Sequence, residues 1–221
     1  MTTNFPGSLD SFTNPSATDA MDSVTVPHAT QHADLNDAVE ALQAKVGVDG
    51  SAVTTSLDYK VAQQGLTFVK SVTIGSGVSS VTVTDAFDSR FENYLIGITG
   101  SSSANSGVKI NLVGSTASYQ WALNYTNYSG VHNIIAGNNT ATWEYLGSMR
   151  TTGASFTIPI YSPAIARPTS IGSVVWADTG ATGITTGYHN VSTAYTGFVV
   201  SLGTGTFGGG TIRVYGYNNG A

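Results

Sequence analysis

Beyond Leu66 the chain places apolar residues at alternate positions. Val108, Ile110 and Leu112 do so, as do Tyr119, Trp121, Leu123 and Tyr125, then Phe156, Ile158 and Ile160, then Phe198, Val200 and Leu202, and lastly Ile212 and Val214. Successive side chains of a strand point to opposite faces, so a period of two predicts strands with one face in a core. Further strands are expected at 67–74, 79–84, 94–99, 141–147 and 171–177, with Gly and Asn breaking the pattern every 8 to 15 residues. About ten short strands with no helical period between them predict an antiparallel β-sandwich of jelly-roll kind over residues 66–221.

Ahead of this region the period is longer. Leu35, Val39, Leu42 and Val46 are spaced 4, 3 and 4, the rhythm of a coiled-coil seam, and Ala38 falls on the same side. Asp34 is placed to cap the start of this helix and Gly47 to stop it. A lone helix of about 12 residues is marginal in water, because so short a length does not recover the cost of nucleation. Its seam therefore needs a cover, either the chain's own β region or two further copies bundled about a common axis; the heptad spacing favours the copies. A second short helix is expected where Thr55 and Asp58 resemble a capping box and Leu57 and Val61 stack, with Gly65 as the stop. Residues 31–65 thus read as a short helical trimerisation collar.

Residues 1–30 are irregular. Pro6, Pro15 and Pro27 push their preceding residues towards extended backbone, and Phe5, Leu9 and Phe12 stand as isolated large apolar groups. Such a segment builds no core of its own. Its apolar residues read as docking groups for another surface, the alternative being a solvated tail.

Composition narrows the function classes. Charged residues make up 10% of the 221, far below the about 25% usual for soluble domains, so the surface is built from Ser, Thr, Asn and Gly. Residues 1–92 hold eleven acids against four bases and the remainder two acids against four bases, with no Lys/Arg cluster of the kind nucleic-acid binding requires. There is no cysteine for a disulfide or thiolate metal site, and no apolar run long enough to insert in a membrane as a helix.

Apparent catalytic motifs lack their context. "GTGTFG" (203–208) matches a dinucleotide fingerprint, but a strand pattern follows it instead of the helix whose N-terminus would face a pyrophosphate; it reads as a hairpin loop. Asp178-Thr179-Gly180 has the triplet of aspartic proteases in a single copy, and is also an ordinary strand-to-turn sequence. Glycosidase chemistry needs two carboxylates, and past residue 93 only Glu144 and Asp178 are available. A Ser/His/Asp arrangement through His132 or His189 has no nucleophile elbow to support it. No enzyme and no cofactor are expected. His28 and His32 would share a helix face as H-x-x-x-H, but zinc wants at least a third ligand, which only copies about an axis could supply; the plainer reading is local packing. Among the aromatics, Tyr119, Trp121, Leu123 and Tyr125 share one strand face and read as core. Tyr128, Tyr188 and Tyr195 fall off the clear alternations and are candidates for exposed rings that stack on sugars, with Asn124, Asn127, Asn138 and Asn139 nearby for hydroxyl groups.

The N-terminal stretches "NFPGSLDSFTNP", "HATQHADLNDAVEALQAKVG" and "GSAVTTSLDYKV" resemble the N-terminal region shared by many tailed-bacteriophage structural proteins, variously tail fibres, head fibres or minor structural proteins. The ending "GGGTIRVYGYNN" resembles the last strand of β-sandwich tips on such proteins. The resemblance implies an N-terminal virion anchor, a trimerising collar and an outward β-sandwich: a homotrimeric fibre or decoration protein, made in the host cytoplasm, whose partners are capsid, neck or tail proteins. The alternative is a receptor-binding fibre tip whose duty is recognition of a host surface glycan.

Overall fold

The computed structural model describes residues 4–8, 10–11, 18–24, 27–63, 65–177 and 180–218, at 174–177 the backbone only. Contacts divide the chain into two compact units, Met1–Gln64 with Gly220–Ala221, and Gly65–Asn219.

The first unit holds two helices. α1 (His28–Val46) is longer than the seam alone requires, because Pro27, with its φ of −65° already suited to a helix start, sits at the N-cap. Asp34 is consequently inside the helix, where it is buried, and does not cap it. Gly47 does end the helix: its φ is +88°, its N–H donates to the Gln43 carbonyl, and a Cβ there would stand 2.9 Å from that of Ser56. α2 (Leu57–Ala62) is capped one residue later than the expected box, by Ser56, whose Oγ accepts from the Tyr59 N–H at 3.2 Å. Asp58 instead accepts from the Ser51 N–H at 2.9 Å, and Gln63, not Gly65, closes the helix. The turn between the helices is therefore tied down by its own serines.

The second unit is mainly β, with every strand pairing antiparallel. Its strands are β1 (Leu66–Ser76), β2 (Ser80–Val83), β3 (Asn93–Ser102), β4 (Ser106–Leu112), β5 (Tyr119–Asn127), β6 (His132–Thr140), β7 (Ser148–Met149), β8 (Ala154–Tyr161), β9 (Thr169–Ala177), β10 (Ala181–His189), β11 (Phe198–Leu202) and β12 (Phe207–Tyr217). One sheet runs β1-β12-β3-β8-β9-β10-β5-β6 and the other β2-β11-β4-β7. Within this order lies a nested set of pairs: β1 with β12, β2 with β11, β3 with β8 and β4 with β7. The remaining strands, β5 with β6 and β9 with β10, are two hairpins that extend the larger sheet past β8.

The alternation places the core as expected. Ile96 and Ile98 of β3, Val108, Ile110 and Leu112 of β4, Ile158 and Ile160 of β8, Phe198 and Val200 of β11, and Ile212 and Val214 of β12 are fully buried in one cluster drawn from both sheets. Tyr119 and Trp121 join it, whereas Leu123 packs with Ala181 in a small second cluster that Tyr125 borders.

Three local expectations need correction. Residues 141–147 are not a strand: Trp143 forms a single bridge with Ile110, and Tyr145 has a positive φ of 56° that breaks the ladder. β6 and β10 are strands that period-two reading misses, because β6 exposes most of its length and the inner face of β10 is made of Ala181, Gly183, Thr185, Gly187 and His189. "GTGTFG" is no hairpin loop. It carries the chain from β11 in one sheet to β12 in the other, held by the Thr206 N–H donating to Ser103 Oγ at 2.9 Å.

Candidate functional site

Two features stand out: a stripe on α1 and a depression on the larger sheet. Along α1, Leu35, Val39, Leu42 and Val46 are 44–58% exposed, and Ala38 is half-buried. A row of Leu and Val this exposed along one helix face is unusual for a helix packed only within its own chain. In heptad terms Leu35 and Leu42 take one seam position and Val39 and Val46 the other. At the helix start His28 and His32 meet edge to face, with ring centroids 4.4 Å apart and their Nε2 atoms 3.1 Å apart. Of the expected docking residues, Phe5 is half-buried in a short turn where the Gly7 N–H donates to the Asn4 carbonyl; Leu9 and Phe12 lie outside the described residues.

The depression lies on the outer face of β9, β10, β5 and the end of β6, with a volume of about 660 Å³. Its rim carries Gln120, Asn138, Ser170, Thr186 and Tyr188. Register explains the grouping: Tyr188 is paired with Gln120 on one side and Ser170 on the other, and Thr186 with Ala122. Ala122, Gly137 and Gly187 line the depression as well. Gly137 has no substitute, because a Cβ there would come 2.5 Å from Nε1 of Trp121, whose indole N–H donates to Thr140 Oγ1. An aromatic ring beside amide and hydroxyl groups in a volume of this order suits a small polar ligand with C–H faces.

The three tyrosines proposed for sugar contact are not brought together. Tyr188 is partly exposed at the depression, and Tyr128 is 67% exposed in the turn after β5. They stand at opposite ends of β10, since Ala181 pairs with Asn127 and Tyr188 with Gln120, a separation of about 23 Å along an extended strand. Tyr195 is only 8% exposed and belongs to the core. Its N–H donates to the Pro163 carbonyl and its ring packs against His189 at 5.5 Å, so it cannot stack on a sugar. The asparagines divide similarly: Asn127 Oδ1 accepts from the Val131 N–H and Asn139 Oδ1 from the Ser118 N–H, both holding turns, while Asn138 reaches the depression.

The environment of His189 has no signature in the local sequence. The side chain is fully buried, with Nε2 at 2.7 Å from Ser115 Oγ and 3.1 Å from the Ala117 carbonyl, and rings of Tyr119, Tyr195 and Trp143 around it. Nδ1 makes no hydrogen bond, so no carboxylate completes a triad with Ser115. His132 is exposed on β6. Glu144 is taken up by Lys109 at 2.8 Å, and Asp178 and Thr179 lie outside the described residues. Among the described residues no helix is long and apolar enough to cross a membrane.

Burial pushes His189 below the ordinary histidine range, although its bond to the Ala117 carbonyl opposes this. The folded state keeps the ring neutral while the unfolded chain takes up a proton, so this contribution is whole above about pH 6.5 and is lost as pH falls below it. The melting temperature of the β unit is expected to drop between pH 7.5 and pH 5, and His189→Gln, though less stable throughout, to flatten the slope. A slope unchanged in the variant assigns the titration elsewhere.

No protein-family model matches the chain, and no curated protein or solved structure matches it.

Proposed function

We propose that the chain is a virion structural protein of a tailed bacteriophage, a fibre or decoration that self-associates through α1, is anchored by residues 1–30 and presents its β unit outward as a jelly-roll sandwich. The exposed Leu35/Val39/Leu42/Val46 stripe carries this reading, since a 19-residue helix needs a cover for it and further copies of the same helix supply one. The nested pairs of the two sheets support the jelly roll, an architecture frequent in viral capsid and lectin domains. That link is one of fold analogy, so the weight rests on the helix and on the N-terminal resemblance. The mechanism is assembly without turnover: copies of a weak anchor, tied together, bind a particle with an avidity that none has alone. A polar surface with few charges suits changing salt, because little of its stability is screened.

Light scattering of the full chain at micromolar concentration is expected to give a mass of three copies. Leu35→Asp with Leu42→Asp gives a monomer whose β unit melts as before. Val at one seam position with Leu at the other is the layout that parallel two-stranded coils favour, so a mass of two keeps the self-association and overturns the three-fold. A wild-type monomer overturns the collar. Immunogold labelling at the surface of phage particles supports the virion assignment, and label confined to the host cytoplasm overturns it.

The depression at Tyr188 favours a second reading, a receptor-binding tip that contacts a host surface glycan. On an array of host polysaccharides and oligosaccharides this reading expects binding that Tyr188→Ala and Asn138→Ala each weaken at least tenfold and Tyr128→Ala leaves intact. Absence of binding to any host sugar leaves the structural role alone.

A further inference from the structure

α1 begins at His28, and this earlier start changes the status of its two histidines. The seam's spacing of 4, 3 and 4 continues backwards from Leu35, three residues to His32 and four more to His28. His28 thus occupies the same heptad position as Leu35 and Leu42, and His32 that of Val39 and Val46. In an assembled collar both histidines face the common axis, where an apolar seam would otherwise bury unpaired imidazoles.

We propose that this end of the collar binds one divalent first-row transition-metal ion, held by Nε2 of His28 and His32 from each copy. The inference rests on self-association through α1. The two Nε2 atoms of one chain are 3.1 Å apart. Imidazole nitrogens stand about 2.0–2.1 Å from zinc, so such a pair subtends about 95–100° at a shared ion, between the octahedral and tetrahedral angles. The spacing of the pair thus matches that of two ligands on one ion, reached by turning the two side chains so that both nitrogens aim at it. Bringing two Nε2 atoms this close requires a proton on one of them in the free chain. With an ion in place that ring carries its proton on Nδ1 instead.

One chain supplies two ligands, and no group of three or more His, Asp or Glu among the described residues is placed to hold a metal. Copies complete the shell: four imidazoles from two chains suit a tetrahedral ion, six from three chains an octahedral one. An all-imidazole set selects zinc, nickel, cobalt or copper over magnesium and calcium, which prefer oxygen. Four apolar layers are a short seam, and an ion across the histidine layers would stabilise its open end by binding only the assembled form.

The test uses the full chain without an affinity tag, stripped of metal and then titrated with zinc or nickel alone, with ion content and mass measured together. One ion per assembled collar is expected, with a higher helix melting temperature and no uptake of magnesium. His28→Asn with His32→Asn is expected to keep the assembled mass and lose the ion. Leu35→Asp with Leu42→Asp, which leaves each chain with two ligands, is expected to weaken zinc binding at least tenfold. Cobalt in place of zinc reports the geometry by its visible spectrum. A stripped chain that assembles but takes up no ion overturns the metal site and leaves the collar standing. A chain monomeric both with and without metal overturns the collar and with it the shared site. One ion per chain on a monomer overturns the sharing of ligands between copies.

Discussion

The β unit depends on pairing its first strand with its last. Leu66 lies opposite Tyr217 and Ile74 opposite Gly210, so nearly the whole unit lies in the loop that this ladder closes. Nothing local makes the pairing. Bringing the ends of so long a segment together costs chain entropy before any contact repays it, which makes non-local β topologies slow to form. What repays it is the buried cluster: Ile212 and Val214 of β12 reach it only when β12 lies between β1 and β3, and β11 follows into the other sheet between β2 and β4. The nested pairs are thus one long antiparallel arrangement whose inner strands, β4 and β7, are joined by very little, two residue pairs.

The extension past β8 has a different physical basis. β9, β10, β5 and β6 leave the second sheet behind, and residues 142–147 cover the inner face instead. Trp143 and Leu146 are fully buried in that segment, which is bonded on one side to Ile110 and Val108 of β4 and on the other to Thr185 of β10, whose Oγ1 donates to the Tyr145 carbonyl at 2.6 Å. Small residues on β10 make the room. A Cβ on Gly187 would come 2.7 Å from the Trp143 ring, so the absent side chain leaves space for that indole on the inner face.

How much of this could be read from sequence follows from which faces are apolar. β3, β4, β8, β11 and β12 were legible because each buries an alternating Ile, Val, Leu or Phe face. β10 was not, since its inner face meets a loop and uses Gly, Thr and His, and β6, an edge strand with Ile134 exposed, has no buried face to announce it. Residues 141–147 mislead in the opposite direction: their apolar side chains are buried, but a covering segment needs no ladder. Tyr195 falls off the clear alternations and so reads as exposed, and only the fold brings His189 against it. On the helix, Asp34 looked like a cap because capping chemistry is short-range, whereas Pro27, farther back, sets the start. The spacing that would have enrolled His28 and His32 in the seam was present in the sequence, and their polarity hid it.

The helix and the sheets differ in how their exposed apolar groups are arranged. The β unit buries its alternating Ile, Val, Leu and Phe faces and leaves single apolar side chains such as Phe68, Ile134 and Ile184 on an exterior otherwise rich in Ser, Thr, Asn and Gly. α1 leaves its apolar line open. Covering the exposed half of a Leu or Val gains about 1 kcal/mol, so four such residues per chain barely match the about 4–15 kcal/mol lost when a chain gives up its free tumbling. A seam of this length associates reversibly by itself. Cross-linking at the histidine end, or simultaneous attachment of several N-terminal segments to one particle, would turn that reversible contact into a lasting one, because each holds the chains at high effective concentration without enlarging the seam. A weak collar is then an advantage in assembly: copies exchange until the anchors are engaged, and stay together once they are.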